Sequence, residues 1–123
     1  MNFHNPEAFG PPSFSQAVES QGRLLFISGQ VPRPPEGGAA AELAEEQFRQ
    51  VFDNLGLVLG SAGVGFDSLV QMRAYLSDRA HWGAFKSVRA EFLGDHLPAI
   101  TAVVCELADP GWVAEIEAVA SLD

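Results

Sequence analysis

The sequence predicts an α+β domain: one mixed sheet with two helices on a single face, in the order β-β-α-β-α-β-β. Three observations lead there. Two segments, ending near Gly63 and Gly94, repeat apolar residues at helical spacing. Val113 to Ser121 alternates with a period of two, and Leu69 to Leu76 and Ala99 to Leu107 are apolar runs of strand length that frame the second helix. A strand, a helix and a parallel strand form a right-handed crossover, and two such crossovers set both helices on the same face. A chain of 123 residues is one domain's worth, so residues 1–123 are read as a single domain.

The first 20 residues are an extended lead-in, because Pro6, Pro11 and Pro12 oppose helix. Ser15 to Val18 is expected to pair with Leu24 to Ser28 as a hairpin across a Gln21-Gly22 turn. Val31 to Gly38 holds three prolines and two glycines and reads as a loop. Phe48, Val51, Phe52, Leu55, Leu59 and Ala62 form the stripe of the first helix. Glu42, Glu45 and Glu46 suit its positive end, and Gly63 its C-terminal stop. Leu69 to Leu76 is a strand. Ser77 or Asp78 then caps the second helix, on which Trp82, Phe85, Val88 and Phe92 recur. Ala99 to Leu107 is apolar at alternating positions of both faces, the pattern of a central strand covered on both sides. Asp109-Pro110-Gly111 is a turn. On the last strand Ala114, Ile116, Ala118 and Ala120 face one way, and Val113, Glu115, Glu117 and Val119 the other.

Charge and cysteine content exclude several functions. There are 16 acidic residues against 7 basic ones, a formal net charge of -9, which repels polyanions. No nucleic-acid partner is expected. The lone Cys105 rules out a disulfide scaffold and a cysteine zinc site. His4, His81 and His96 have no metal-ligand spacing, so no metal is expected. No apolar run reaches 18 residues, so no membrane partner is expected, and Met1 to Pro6 lacks the features of a secretory signal. The expected location is the cytoplasm.

Two helices cover one face of a sheet. The other face is expected to carry Val103 or Val104, Val113 and Val119 beside two carboxylates. Apolar sheet surface of that kind marks an interface, so the chain is expected to form a closed homo-oligomer with its sheets packed together.

Glu115 and Glu117 share that open face. Three readings fit them: a carboxylate that positions or deprotonates water, solvated polar positions on a strand, or a pair bonded to arginines across a subunit seam. Ser28-Gly29-Gln30 ends a strand at a glycine. Backbone amides can approach a small ligand there, or the strand can simply bulge or exit.

The following segments resemble the RidA/YjgF-type family of reactive-intermediate deaminases, often labelled endoribonuclease L-PSP. They are Phe14-Ser15-Gln16-Ala17-Val18, Phe26-Ile27-Ser28-Gly29-Gln30-Val31-Pro32, Gln50-Val51-Phe52-Asp53-Asn54-Leu55, Tyr75-Leu76-Ser77-Asp78, Phe92-Leu93-Gly94-Asp95-His96-Leu97-Pro98-Ala99 and Glu115-Ile116-Glu117-Ala118-Val119-Ala120. The resemblance covers nearly the whole chain in order and spacing. It implies a chorismate-mutase-like fold and a homotrimer with sheets facing inward and three interface clefts. It also implies hydrolysis of enamine and imine intermediates to a keto acid and ammonia, with no metal and no organic cofactor. In the family an arginine clamps the substrate carboxylate and a glutamate on the last strand holds the water.

Carried over residue by residue, the water-positioning role falls on Glu115, and Ser28 and Gly29 match the substrate-binding positions. Four other substrate-binding positions depart from the pattern. Ile100 stands where the clamp arginine follows Pro98-Ala99. Phe14 replaces the cleft tyrosine, Lys86 the helix asparagine and Ala102 the cleft cysteine. Losing a charge-assisted pair costs about 1.5–3 kcal/mol of binding. Lys86 or Arg89 could supply a cation from the cleft rim, or stand as a solvated helix residue.

The expected function is binding of a small metabolite in clefts between subunits. Hydrolysis of imines or enamines to a carbonyl compound and ammonia is expected on substrates that lack a carboxylate or place an apolar group near Ile100. The alternative is a trimer without catalysis that binds a small ligand or another protein. The ribonuclease activity attached to the family's name is opposed by the net charge.

Overall fold

A computed structural model describes residues 1–123. The chain forms β1 (Asn2–His4), β2 (Ala17–Glu19), β3 (Leu24–Gln30), α1 (Ala44–Ser61), β4 (Leu69–Leu76), α2 (Trp82–Leu93), β5 (Ala99–Val104) and β6 (Ala114–Ser121). The main sheet has the order β3-β6-β4-β5. β6 is antiparallel to both its neighbours, and β5 is parallel to β4 across the α2 crossover.

Both predicted helices are present. Phe48, Val51, Phe52, Leu55 and Leu59 of α1 are buried, while Ala62 lies past the helix end and is exposed. Gly63 follows at φ 77°, a left-handed conformation that a side chain would oppose. Asp78 caps a short 3-10 turn ahead of α2, accepting from Ala80 N at 2.8 Å. Phe85, Val88 and Leu93 of α2 join α1 and the inner residues of the sheet in one core. Ala114, Ile116, Ala118 and Ala120 face that core. Each fully buried Phe or Leu contributes about 1.5–3 kcal/mol, so this layer holds the sheet in place.

The structure corrects three expectations. The N-terminal hairpin is paired differently. β2 pairs with β1, and β3 pairs with β6, almost a hundred residues later in the chain. The Ala99–Leu107 run is an edge strand that ends at Val104, with Val103 45% and Val104 52% exposed. Its apolarity is therefore not spent on two covered faces. The open face is also more polar than expected. Gln71, Arg73 and Tyr75 of β4 stand beside Val119, Glu117 and Glu115 of β6, and Phe26 of β3 is its most exposed apolar residue at 76%.

Candidate functional site

β3 reaches β6 through a bulge. Ile27 pairs with Ala118 and Gln30 with Ile116, so three steps on β3 oppose two on β6. β3 thus ends at Gln30, as expected, and carries a bulge at Ser28-Gly29 just before its end. The Glu115 carboxylate packs against Gly29, and a Cβ at position 29 would overlap its Oε2. Only without a side chain at 29 can the flexible Glu115 carboxylate keep this position. Ser28 is exposed beside it, with its carbonyl accepting from Gln30 Nε2 at 3.0 Å. Glu115 is half-buried and has no side-chain hydrogen bond or ion pair within the chain, unlike Glu117.

Glu117 is held on both sides. Arg73 Nη1 lies 3.3 Å from its Oε1, and the Tyr75 hydroxyl donates to the same oxygen at 3.2 Å. Partial burial, then the Glu117 charge, push the Tyr75 phenol above its ordinary pKa. The ion pair that forms is with an arginine of the same chain, on the neighbouring strand, and not across a seam. Glu117 is the structural ion pair, and Glu115 is the free carboxylate. A cavity of about 340 Å³ opens beside Glu117, lined also by Phe26, Ser28, Gln71, Arg73 and Val119; Glu115 lies outside its lining.

The other expected site residues stand elsewhere. Ile100 and Ala102 lie on β5, separated from β6 by β4, and both pack half-buried against the core on the helix side. Phe14 is half-buried in the segment leading to β2 and lines a cavity of about 180 Å³ with Asn5, Phe9 and Ser13. Lys86 is exposed, its Nζ 5.6 Å from the Trp82 ring centroid, the position of a surface cation stacked on an aromatic ring. Arg89, one turn on, points inward and is buried. Burial pushes its guanidinium below its ordinary pKa. No three His, Cys, Asp or Glu side chains converge on a point where a metal could sit.

Sequence reasoning missed two residues of α1 that tie down the loops after β3 and before β6. Asn54 Nδ2 donates to the carbonyls of Val31 and Arg33, both at 2.9 Å, and so ties the proline-rich loop to α1. Gln47 Nε2 donates to the carbonyls of Ala41 and Gly111, and its oxygen accepts from Val113 N at 2.8 Å just before β6. Both are polar residues within an apolar helical stripe, which is the signal that could have found them. Arg73 and Tyr75 were visible as the alternate positions of Leu69 to Leu76.

The family model described as Endoribonuclease L-PSP matches residues 4–122. The chain belongs to this RidA/YjgF-type family. Among curated relatives, a RutC family protein of Pyrococcus horikoshii is 34% identical over 94% of this chain and 90% of its own. The 2-iminobutanoate/2-iminopropanoate deaminase of Mus musculus is 34% identical over 94% of this chain and 84% of its own. Among solved structures, a conserved Rid-family protein of unknown function from Yersinia pestis superposes with a TM-score of 0.87 at 33% identity, covering 97% of this chain and 96% of that one. That Rid-family structure shares the fold described above over nearly its whole length.

Proposed function

We propose that the chain acts as a homotrimer, its sheets facing inward, that binds a small metabolite in clefts between subunits and hydrolyses imines or enamines there. The observation that carries this reading is Glu115, an unpaired carboxylate set against a glycine bulge on the open sheet face. A free carboxylate at hydrogen-bond reach of a water can accept its proton. The water oxygen adds to the C=N carbon, the nitrogen takes up the protons, the C–N bond breaks, and a carbonyl compound and ammonia leave. Similarity to a mouse imino-acid deaminase supports the reaction class. The exposed Phe26, Val103 and Val104 support a covering subunit.

A second reading is a trimer that binds a small ligand or another protein without catalysis. Ile100 favours it, because an aliphatic side chain packed on the core stands where the family's clamp arginine would be. One assay separates the two. Imines are generated in situ with an amino-acid or amine oxidase, with and without a carboxylate, and their hydrolysis is followed with and without the protein. Acceleration supports the enzyme. No acceleration on any imine, with the protein folded and trimeric, leaves the binding trimer. A monomeric mass by light scattering at micromolar concentration overturns the cleft in both readings.

A further inference from the structure

Arg89 is the one strongly buried cation of the chain, 7% exposed. Arg23, Arg49 and Arg73 each hold a carboxylate, and all three are far more exposed. Arg89 has no carboxylate partner. Its single hydrogen bond is long, from Nη2 to the Ser13 carbonyl at 3.5 Å, and its guanidinium carbon lies 5.3 Å from the Phe85 ring centroid. A guanidinium has five N–H donors in a planar fork, so most of this one is unspent. None of its nitrogens is both fully buried and unpartnered, so its unbonded N–H groups stay accessible from the space beside it, where a counter-charge would offset the cost of the residue's burial.

The space beside it fits such a counter-charge. A cavity of about 230 Å³ is lined by Ser13, Arg89, Leu93, His96, Leu97 and Ile100. His96 has its Nε2 engaged, donating to the Leu69 carbonyl at 2.7 Å. The walls are otherwise largely aliphatic. One fixed cation and an apolar wall are the chemistry of a small carboxylic acid with an aliphatic tail. The planar fork matches a carboxylate with two parallel hydrogen bonds.

We infer that Arg89 and Ile100 form a carboxylate-binding site: the guanidinium holds the carboxylate and Ile100 packs on the aliphatic part. As a statement about substrate it rests on the reading of the preceding subsection: Arg89 and Ile100 lie on the helix side of the sheet and Glu115 on its open face, so one imine would reach both only across a subunit interface. As a statement about binding it needs no catalysis.

The test uses the intact protein with butanoate as probe and butanamide as the neutral control. NMR follows the Arg89 Nε–Hε and Ile100 methyl signals. Butanoate is expected to move both in a saturable way and butanamide neither. Arg89→Met is expected to weaken butanoate binding at least tenfold, and Arg89→Lys to restore part of it. Because Arg89→Met alters a buried residue, its folding is checked by circular dichroism, and the wild-type titration stands without it. Signals unmoved by butanoate, or moved equally by butanamide, overturn the site. Full butanoate affinity in a folded Arg89→Met protein does the same. Butanoate binding at Arg89 without imine hydrolysis would sink the enzyme reading and leave this site standing. Hydrolysis of carboxylate-bearing imines that is indifferent to Arg89→Met would keep the enzyme reading and overturn the claim that this site holds its substrate.

Discussion

The region around Glu115 and the region around Glu117 lie two residues apart on the same face of the same strand, and they are opposites. Across the ladder, Glu117 meets Arg73, and the neighbouring Tyr75 donates to it as well. Its charge is spent on structure. Glu115 is paired with Tyr75 in register, yet its carboxylate packs toward the Gly29 bulge of β3, where nothing in the chain bonds to it. Strand periodicity decides which face a carboxylate takes. The cross-strand neighbours decide whether it is free to act.

The sharpest way to break this comparison is Glu115→Gln, which keeps the shape and removes the base. Imine hydrolysis is expected to fall by about 10²–10⁴-fold, with the far-ultraviolet spectrum unchanged. Wild-type turnover in this variant would end the claim that the free carboxylate is the functional one.

Gly29→Ala attacks the same region from the opposite strand. The added Cβ overlaps Glu115 Oε2, so the carboxylate must swing away. A displacement of about 1 Å in a reacting group can cost about 100-fold, and a loss of that order in kcat is expected without loss of the trimer. Unchanged kcat would mean that the bulge shapes only the strand.

Glu117→Gln should do far less. The pair with Arg73 is substantially solvent-exposed, and exposed pairs contribute little. Turnover is expected to stay near wild type, and thermal unfolding to shift down by about 1–4 °C. A collapse of activity here, with Glu115 intact, would assign the chemistry to the wrong carboxylate.

What could be read from the sequence follows the range of the interactions involved. Leu69–Leu76 and the alternation on β6 carry their information in neighbouring residues, and both stand where the sequence puts them. The α1 stripe is equally local. The β3 pairing is not local: Leu24 reaches Ser121. β1 and β2 are three residues each, too short to show any period. β5 misled because an apolar run does not say which element covers it. At the site, Glu115 and Gly29 were legible as residue types. That the Glu115 carboxylate is unpaired depends on β3 and β4 and was not. Arg89 was visible only as one of two helix cations. Arg89 is buried beside Phe85 and Val88, on the face of α2 that meets the core, while Lys86 stands exposed by Trp82.

The smallest effect gives the cleanest sharpening. Tyr75 is the only tyrosine in the chain, so phenolate absorbance in an alkaline titration reports it alone. Its pKa lies above the ordinary value because of partial burial first and the Glu117 carboxylate second. Glu117→Gln removes the charge and leaves Arg73 unneutralised beside the hydroxyl, and both changes favour the phenolate. The midpoint is expected to move down toward the ordinary tyrosine value. It should not pass far below it, since the burial that raises it persists. Glu115→Gln, measured in the same way, is expected to leave the midpoint in place, because Glu115 is not among the groups that shift this phenol. Equal shifts in the two variants would mean that both carboxylates belong to a single electrostatic cluster, and the distinction between a spent and a free carboxylate would fail.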